Sequence, residues 1–148
     1  MVNASDVNPQ TASDRRMTTS FTLSLRELTD LSTMRAVIRD HLRAAEVPPE
    51  RVADAVLVAS ELATNATRAA EPGTPVRVTG RIGGGRIVLD VSNHPRDINE
   101  RKGLLTPVRM PGAEADRGRG LATVAALSWR VSADIESHHT TLHAELTI

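Results

Sequence analysis

The order of elements read from the sequence predicts an α/β (α+β) two-layer sandwich: a mixed, mostly antiparallel sheet with three helices on one face. Three observations carry this expectation. Apolar residues alternate with polar ones in short stretches, the period of a half-buried strand. In other stretches they recur at intervals near 3.6, the period of an amphipathic helix. The order is β-α-α-β-β-loop-α-β-β, so helices do not alternate with strands as a doubly wound parallel sheet requires, and hairpins dominate.

The first element follows a polar stretch. Residues 1–19 begin MVNASDVNPQTASDR, which lacks the apolar core of a signal peptide and reads as a disordered tail. Phe21, Leu23 and Leu25 then alternate with Thr22, Ser24 and Arg26 as a strand. Leu28, Leu31, Met34, Ala36, Val37, Ile38 and Leu42 set a helix over 29–45, with Thr29 or Asp30 as its cap. Pro49 or Glu50 opens a second helix reaching about Ala70, because proline in the first turn sacrifices no intrahelical bond. Val52, Ala55, Val56, Ala59, Leu62, Ala63 and Ala66 form its apolar stripe, and the alanines allow close approach to a sheet.

Two strands follow, Val76 to Ile82 and Ile87 to Val91, joined at Gly83-Gly84-Gly85, where positive φ is tolerated. Residues 93–117 hold Pro95, Pro107, Pro111, Gly103 and Gly112 among many charges. So long a connection inside a small domain is often functional. Leu104, Leu105, Val108 and Met110 suit a short helical turn within it. A short helix from Leu121, a strand around Val131, a turn at Glu136 to His138 and a last strand from Thr141 complete the chain.

Composition narrows the function. With 148 residues, one domain can bury about 70% of the surface its unfolded form exposes. Cysteine is absent, which excludes disulfide frameworks and thiolate chemistry and agrees with a cytoplasmic location. The five histidines, two of them adjacent at His138 and His139, show no HExxH spacing. Eighteen basic residues balance eighteen acidic ones, whereas nucleic-acid binders carry a basic excess. Phe21 and Trp129 stand alone among Phe, Tyr and Trp, so base-stacking platforms are lacking and the core is Val, Leu, Ile and Ala. Neither nucleic acid nor a membrane is an expected partner, and no apolar run nears the roughly 18 residues of a membrane span.

Two constellations suit chemistry. Glu61 and Asn65 lie four apart on the second helix, about 40° apart around its axis. An Asn carbonyl oxygen is a hard ligand for magnesium, and a neighbouring carboxylate can accept a proton from an attacking hydroxyl. The pair alone equally fits a solvated polar face. Gly118-Arg119-Gly120 precedes the short third helix. Its glycines permit close backbone approach, and the helix N-terminus favours phosphate. Arg117 and Arg119 flank the glycines and can reach phosphate oxygens or solvent. No GxxxxGK[ST] motif is present, and no βαβ unit frames a dinucleotide fingerprint.

Together these residues resemble the GHKL or histidine-kinase-like ATPase family, and within it the small anti-sigma-factor serine/threonine kinases and actinobacterial ATP-binding regulators. Ser60-Glu61-Leu62-Ala63-Thr64-Asn65-Ala66-Thr67-Arg68-Ala69 is similar to the family's N box, close to ExxxNAxxH. The likeness implies Glu61 as catalytic base and Asn65 as magnesium ligand, with Arg68 beside the nucleotide and Ala69 where many members carry His. Asp116-Arg117-Gly118-Arg119-Gly120-Leu121 resembles the G2 box, which wraps the triphosphate. Val91-Ser92-Asn93-His94-Pro95-Arg96-Asp97 stands where the family has an Asp that accepts from the adenine amine, followed by glycines, which here become Pro95 and Asp97. Asn93 matches that Asp, and its amide oxygen can still accept, while its NH₂ must also find a partner. Because a charged acceptor is the stronger, Asn93→Asp is expected to tighten ATP binding about fivefold to tenfold.

The resemblance covers roughly 20–148 and implies a histidine-kinase-like ATPase domain with a lid over 93–117. ATP and Mg²⁺ are the implied cofactors. The implied activity is an anti-sigma-factor-type serine/threonine protein kinase that phosphorylates an anti-sigma-factor antagonist. A sigma factor and that antagonist are the implied partners, and a homodimer is compatible. The residues leave open a non-catalytic interaction module that kept the fold with weak or no ATP turnover.

Overall fold

The computed structural model describes residues 17–96 and 116–148. The chain forms β1 (Met17–Leu25), a 3-10 turn (Leu28–Asp30), α1 (Leu31–Ala44), α2 (Pro49–Ala69), β2 (Val76–Gly83), β3 (Arg86–Asn93), α3 (Asp116–Leu127), β4 (Arg130–Ile135) and β5 (Thr140–Thr147). The five strands make one sheet in the order β1-β2-β3-β5-β4. All four of these pairings are antiparallel.

Strand alternation decides which sheet face the helices cover. Val76, Val78, Gly80 and Ile82 on β2, Ile87, Leu89 and Val91 on β3, and Leu142, Ala144 and Leu146 on β5 are buried. Residues between them are mostly polar, which leaves the other face wet. The fold is thus a two-layer α/β sandwich with three helices on one face. α2 crosses the middle of the sheet, α1 packs beside β1, and α3 lies against α2 and β4. The alanines at 55, 59, 63 and 66 are all fully buried, so α2 lies close on the strands. Burying a side chain such as Leu62 or Ile38 contributes roughly 1.5–3 kcal/mol, and both are 0% exposed.

Phe21 is the aromatic member of this aliphatic core. Its ring lies over Gly80, so that a Cβ there would collide with ring carbons. The hairpin between β2 and β3 turns through Gly84 (φ +59°) and Gly85 (φ +75°), as the glycine run predicts.

Several boundaries differ from the sequence reading. β1 begins at Met17, inside the expected tail, because its first residues extend the pairing with β2 past a register shift between Met17 and Thr19. The expected 29–45 helix splits into the 3-10 turn and α1. Asp30 does not cap α1. Its carboxylate accepts from the preceding amides of Arg26 (2.9 Å) and Glu27 (3.1 Å). Those bonds, the Arg26 amide first, hold the Asp30 carboxyl below its ordinary value. Leu28 and Ala36, read as apolar stripe, face solvent. The rest of the tail (1–16), and 97–115 of the expected lid with its short helical turn at 104–110, lie outside the described residues. Among the described residues no helix is long and apolar enough to cross a membrane.

Candidate functional site

The C-terminal half of α2 brings the first pair together. Glu61 and Asn65 are both half-buried, one turn apart on the side of α2 that flanks its buried stripe. Just before them, Ser60 ties α1 to α2: Arg35 Nε donates to its hydroxyl (2.9 Å), which donates to the Val56 carbonyl (2.7 Å). Glu61 faces α3. A Cβ built on Gly120 would meet the Glu61 carboxylate, with Oε2 the nearest atom. Glycine at 120 is thus what lets the first turns of α3 approach the carboxylate.

This changes the reading of the glycine motif. Gly118 and Gly120 do not precede a helix. They lie within α3, which already begins at Asp116. An acidic residue at a helix start is favourable in the helix field, and glycine is tolerated in a helix at a cost of about 1 kcal/mol each. Close approach, rather than a tight turn, is what Gly120 supplies. Leu121 is half-buried and packs on the core. The backbones of Arg117 and Arg119 belong to α3, while their side chains lie outside the described residues. Arg68 is exposed in the last turn of α2.

Asn93 ends β3 on the helix-covered face and is buried, with 1% exposed. Its Nδ2 donates to the carbonyl of Ala66 on α2 (2.8 Å). Its Oδ1 is buried without a partner. The sequence reading did not single out its cross-strand neighbour, Thr140 on β5. Thr140 is also 1% exposed, and its Oγ1 also lacks a partner. The signal was present: Thr140 continues the inward alternation of Leu142, Ala144 and Leu146, as Asn93 continues that of Ile87, Leu89 and Val91. A polar residue at an inward position marks either a satisfied core group or a ligand site.

A third such atom is Asn65 Nδ2. Leaving a buried polar atom unpaired costs about 1–3 kcal/mol; of the four such atoms among the described residues, one, Ser128 Oγ, follows α3, and these three lie on α2, β3 and β5. They fit the group that the resemblance implies. Asn93 Oδ1 is an acceptor for an exocyclic amine, and Thr140 has a rotatable hydroxyl. Turning the Asn65 amide over about χ2 brings its oxygen into place as a hard metal ligand.

With this geometry in view, the comparisons fall into place. The two-layer fold is that of a histidine-kinase-like ATPase domain. The family described as histidine kinase-like ATPase domain matches residues 25–146, and the chain belongs to it. A chain of the crystal structure of the SiaB-SiaC complex from Pseudomonas aeruginosa is similar in fold. Its TM-score is 0.69 at 18% identity, with 93% of this chain and 94% of that one covered. No curated protein matches the sequence.

Proposed function

We propose that this chain is an ATP-binding regulator that phosphorylates a serine or threonine on an anti-sigma-factor antagonist, and that it also holds a sigma factor through a protein surface. The observation that carries the nucleotide reading is the set of unpartnered buried polar atoms on Asn65, Asn93 and Thr140 around the end of α2. The solved fold-relative, crystallised as a SiaB-SiaC complex, supports a partner-binding role for the fold.

In this reading Asn93 Oδ1 accepts from the adenine amine, and Asn65 Oδ1 holds magnesium. Arg68, Arg117, Arg119 and the backbone of Gly118, Gly120 and Leu121 line the triphosphate. Magnesium held by Asn65 would neutralise phosphate charge. Glu61 takes the proton of the attacking seryl or threonyl hydroxyl as its oxygen bonds to the γ-phosphorus. The bond from that phosphorus to the β–γ bridging oxygen breaks, and ADP leaves. Gly120 keeps the Glu61 carboxylate in place by carrying no side chain.

The test is transfer of label from γ-labelled ATP to candidate antagonist proteins by the wild type and by Glu61→Gln. Transfer by the wild type, reduced at least about 100-fold in the variant, supports the kinase. A chain that binds Mg-ATP but transfers nothing to any antagonist supports the second reading, a non-catalytic interaction module. That reading is favoured by the departures at Asn93, Pro95 and Asp97, where the family has an Asp and glycines.

A further inference from the structure

The last four carbonyls of a helix have no intrahelical partner. In α2 these belong to Ala66, Thr67, Arg68 and Ala69. The Thr67 carbonyl accepts from the Ala70 amide (3.4 Å). The other three are taken by the segment that leaves β3. Asn93 Nδ2 donates to Ala66 (2.8 Å), Arg96 Nη2 to Arg68 (2.6 Å), and the Arg96 amide to Ala69 (2.9 Å). The Glu71 amide donates back to the His94 carbonyl (2.7 Å), and Ala70 bridges to Pro95. The stretch 93–96 is therefore the C-terminal cap of α2, supplied by a neighbouring strand. Pro95, which stands at one of the family's glycine positions, is part of this cap; Asp97, at the other, lies outside the described residues.

This cap decides the orientation of the Asn93 amide. The two ends of an amide are sterically alike, but only the NH₂ end can donate to the Ala66 carbonyl. The oxygen is then forced to the other side, buried and unpaired. A carboxylate at this position would set oxygen against oxygen, at the negative end of the helix field.

Resting on the ATP reading above, we infer that the Ala66 carbonyl locks Asn93 as a fixed, neutral hydrogen-bond acceptor that selects 6-aminopurine over 6-oxopurine nucleotides, and that a carboxylate cannot replace it. Adenine offers an amine N–H to such an acceptor. Guanine and hypoxanthine offer a carbonyl, which it repels. The conclusion reverses the sequence expectation for Asn93→Asp: the carboxylate that resembles the family pattern costs this chain its helix cap.

The experiment compares wild type and Asn93→Asp by titration with Mg-ATP and Mg-GTP and by thermal unfolding, at about pH 8 and about pH 5. The lock predicts that at about pH 8 the variant unfolds at lower temperature and binds ATP at least about tenfold more weakly. At about pH 5 the introduced carboxyl takes a proton, donates it to Ala66 and restores both properties relative to wild type at that pH. Wild type should prefer ATP to GTP by about tenfold or more. Equal or tighter ATP binding by the variant at about pH 8, or loss of stability without rescue in acid, overturns the lock. Equal wild-type affinity for ATP and GTP overturns the base selection while leaving ATP binding intact. A wild type that binds neither nucleotide overturns the ATP reading and the selection with it, whereas the pH-dependent unfolding still decides the lock.

Discussion

The carboxylate of Glu61 on α2 occupies the space that a Cβ on Gly120 of α3 would need. The contact joins the two sequence motifs, which are far apart in the chain, at one point. The nearest atom is the far end of a flexible side chain, so Gly120→Ala should push the carboxylate aside at little cost in stability. A shift of about 1 Å can cost about 100-fold in a positioned reaction. Phosphoryl transfer should therefore fall by that order while the unfolding temperature changes by only a few degrees. A large drop in stability with transfer unchanged would assign the contact to packing alone.

Asn65 and Glu61 should separate binding from chemistry. Asn65→Ala removes the proposed magnesium ligand and should weaken magnesium-dependent ATP binding by about tenfold or more, with little effect on binding of ATP in the presence of a chelator. Glu61→Gln keeps the shape and loses the base, so affinity should hold within about threefold while transfer falls about 100-fold to 10,000-fold. Equal losses of affinity in both variants would point to a shared structural role on the helix.

Gly80 has a purely structural task. The ring of Phe21 rests where a Cβ would stand, and this ring is rigid and buried. Gly80→Ala should cost about 1–3 kcal/mol of stability through overpacking, read as a lowered denaturation midpoint. The companion change Phe21→Leu in the same chain should recover part of the loss. A Gly80→Ala chain as stable as wild type would contradict the packing described.

On the wet face of the sheet, His143 on β5 has a carboxylate at each ring nitrogen: Asp90 of β3 at Nδ1 (2.6 Å) and Asp134 of β4 at Nε2 (2.9 Å). Arg81 of β2 pairs with the same Asp90 (3.4 Å), and Arg130, Ser132 and Glu145 line the surrounding depression. A neutral imidazole would set a lone pair against one of the carboxylates, so the geometry asks for the imidazolium. Burial, the largest single influence, opposes that charge, but the bonds to Asp90 and Asp134 prevail and raise the His143 pKa. The sign follows: the contribution is fully present below the unfolded value of about 6.5 and is lost as pH rises through the higher folded value. Wild type should therefore exceed His143→Gln in stability at about pH 6, and the gap should close in mild alkali. A gap independent of pH would remove the imidazolium from the account.

The order of elements along the chain, the three helices and the helix-covered face were legible because alternation and 3.6 periodicity are local properties of Val78, Leu89, Leu62 and their neighbours. Glu61 and Asn65 were legible for the same reason, being one turn apart on a single helix. Three features were not. The start of α3 at Asp116 puts Gly118 and Gly120 inside the helix, which the motif spacing does not encode. The role of Thr140 emerges only from its register opposite Asn93. The capping of Ala66, Arg68 and Ala69 by residues 93–96 is a contact between elements, so the departure at Pro95 reads as a lost glycine in the sequence and as part of a helix cap in the structure.

The central claim is that the end of α2 holds a nucleotide, and calorimetric titration of the wild type with Mg-ATP tests it most directly. The account predicts saturable one-to-one binding that weakens when magnesium is chelated and when Asn65 is replaced by Ala. An absence of binding to Mg-ATP and Mg-ADP alike, at concentrations well above those in cells, by a chain that unfolds cooperatively, would contradict it.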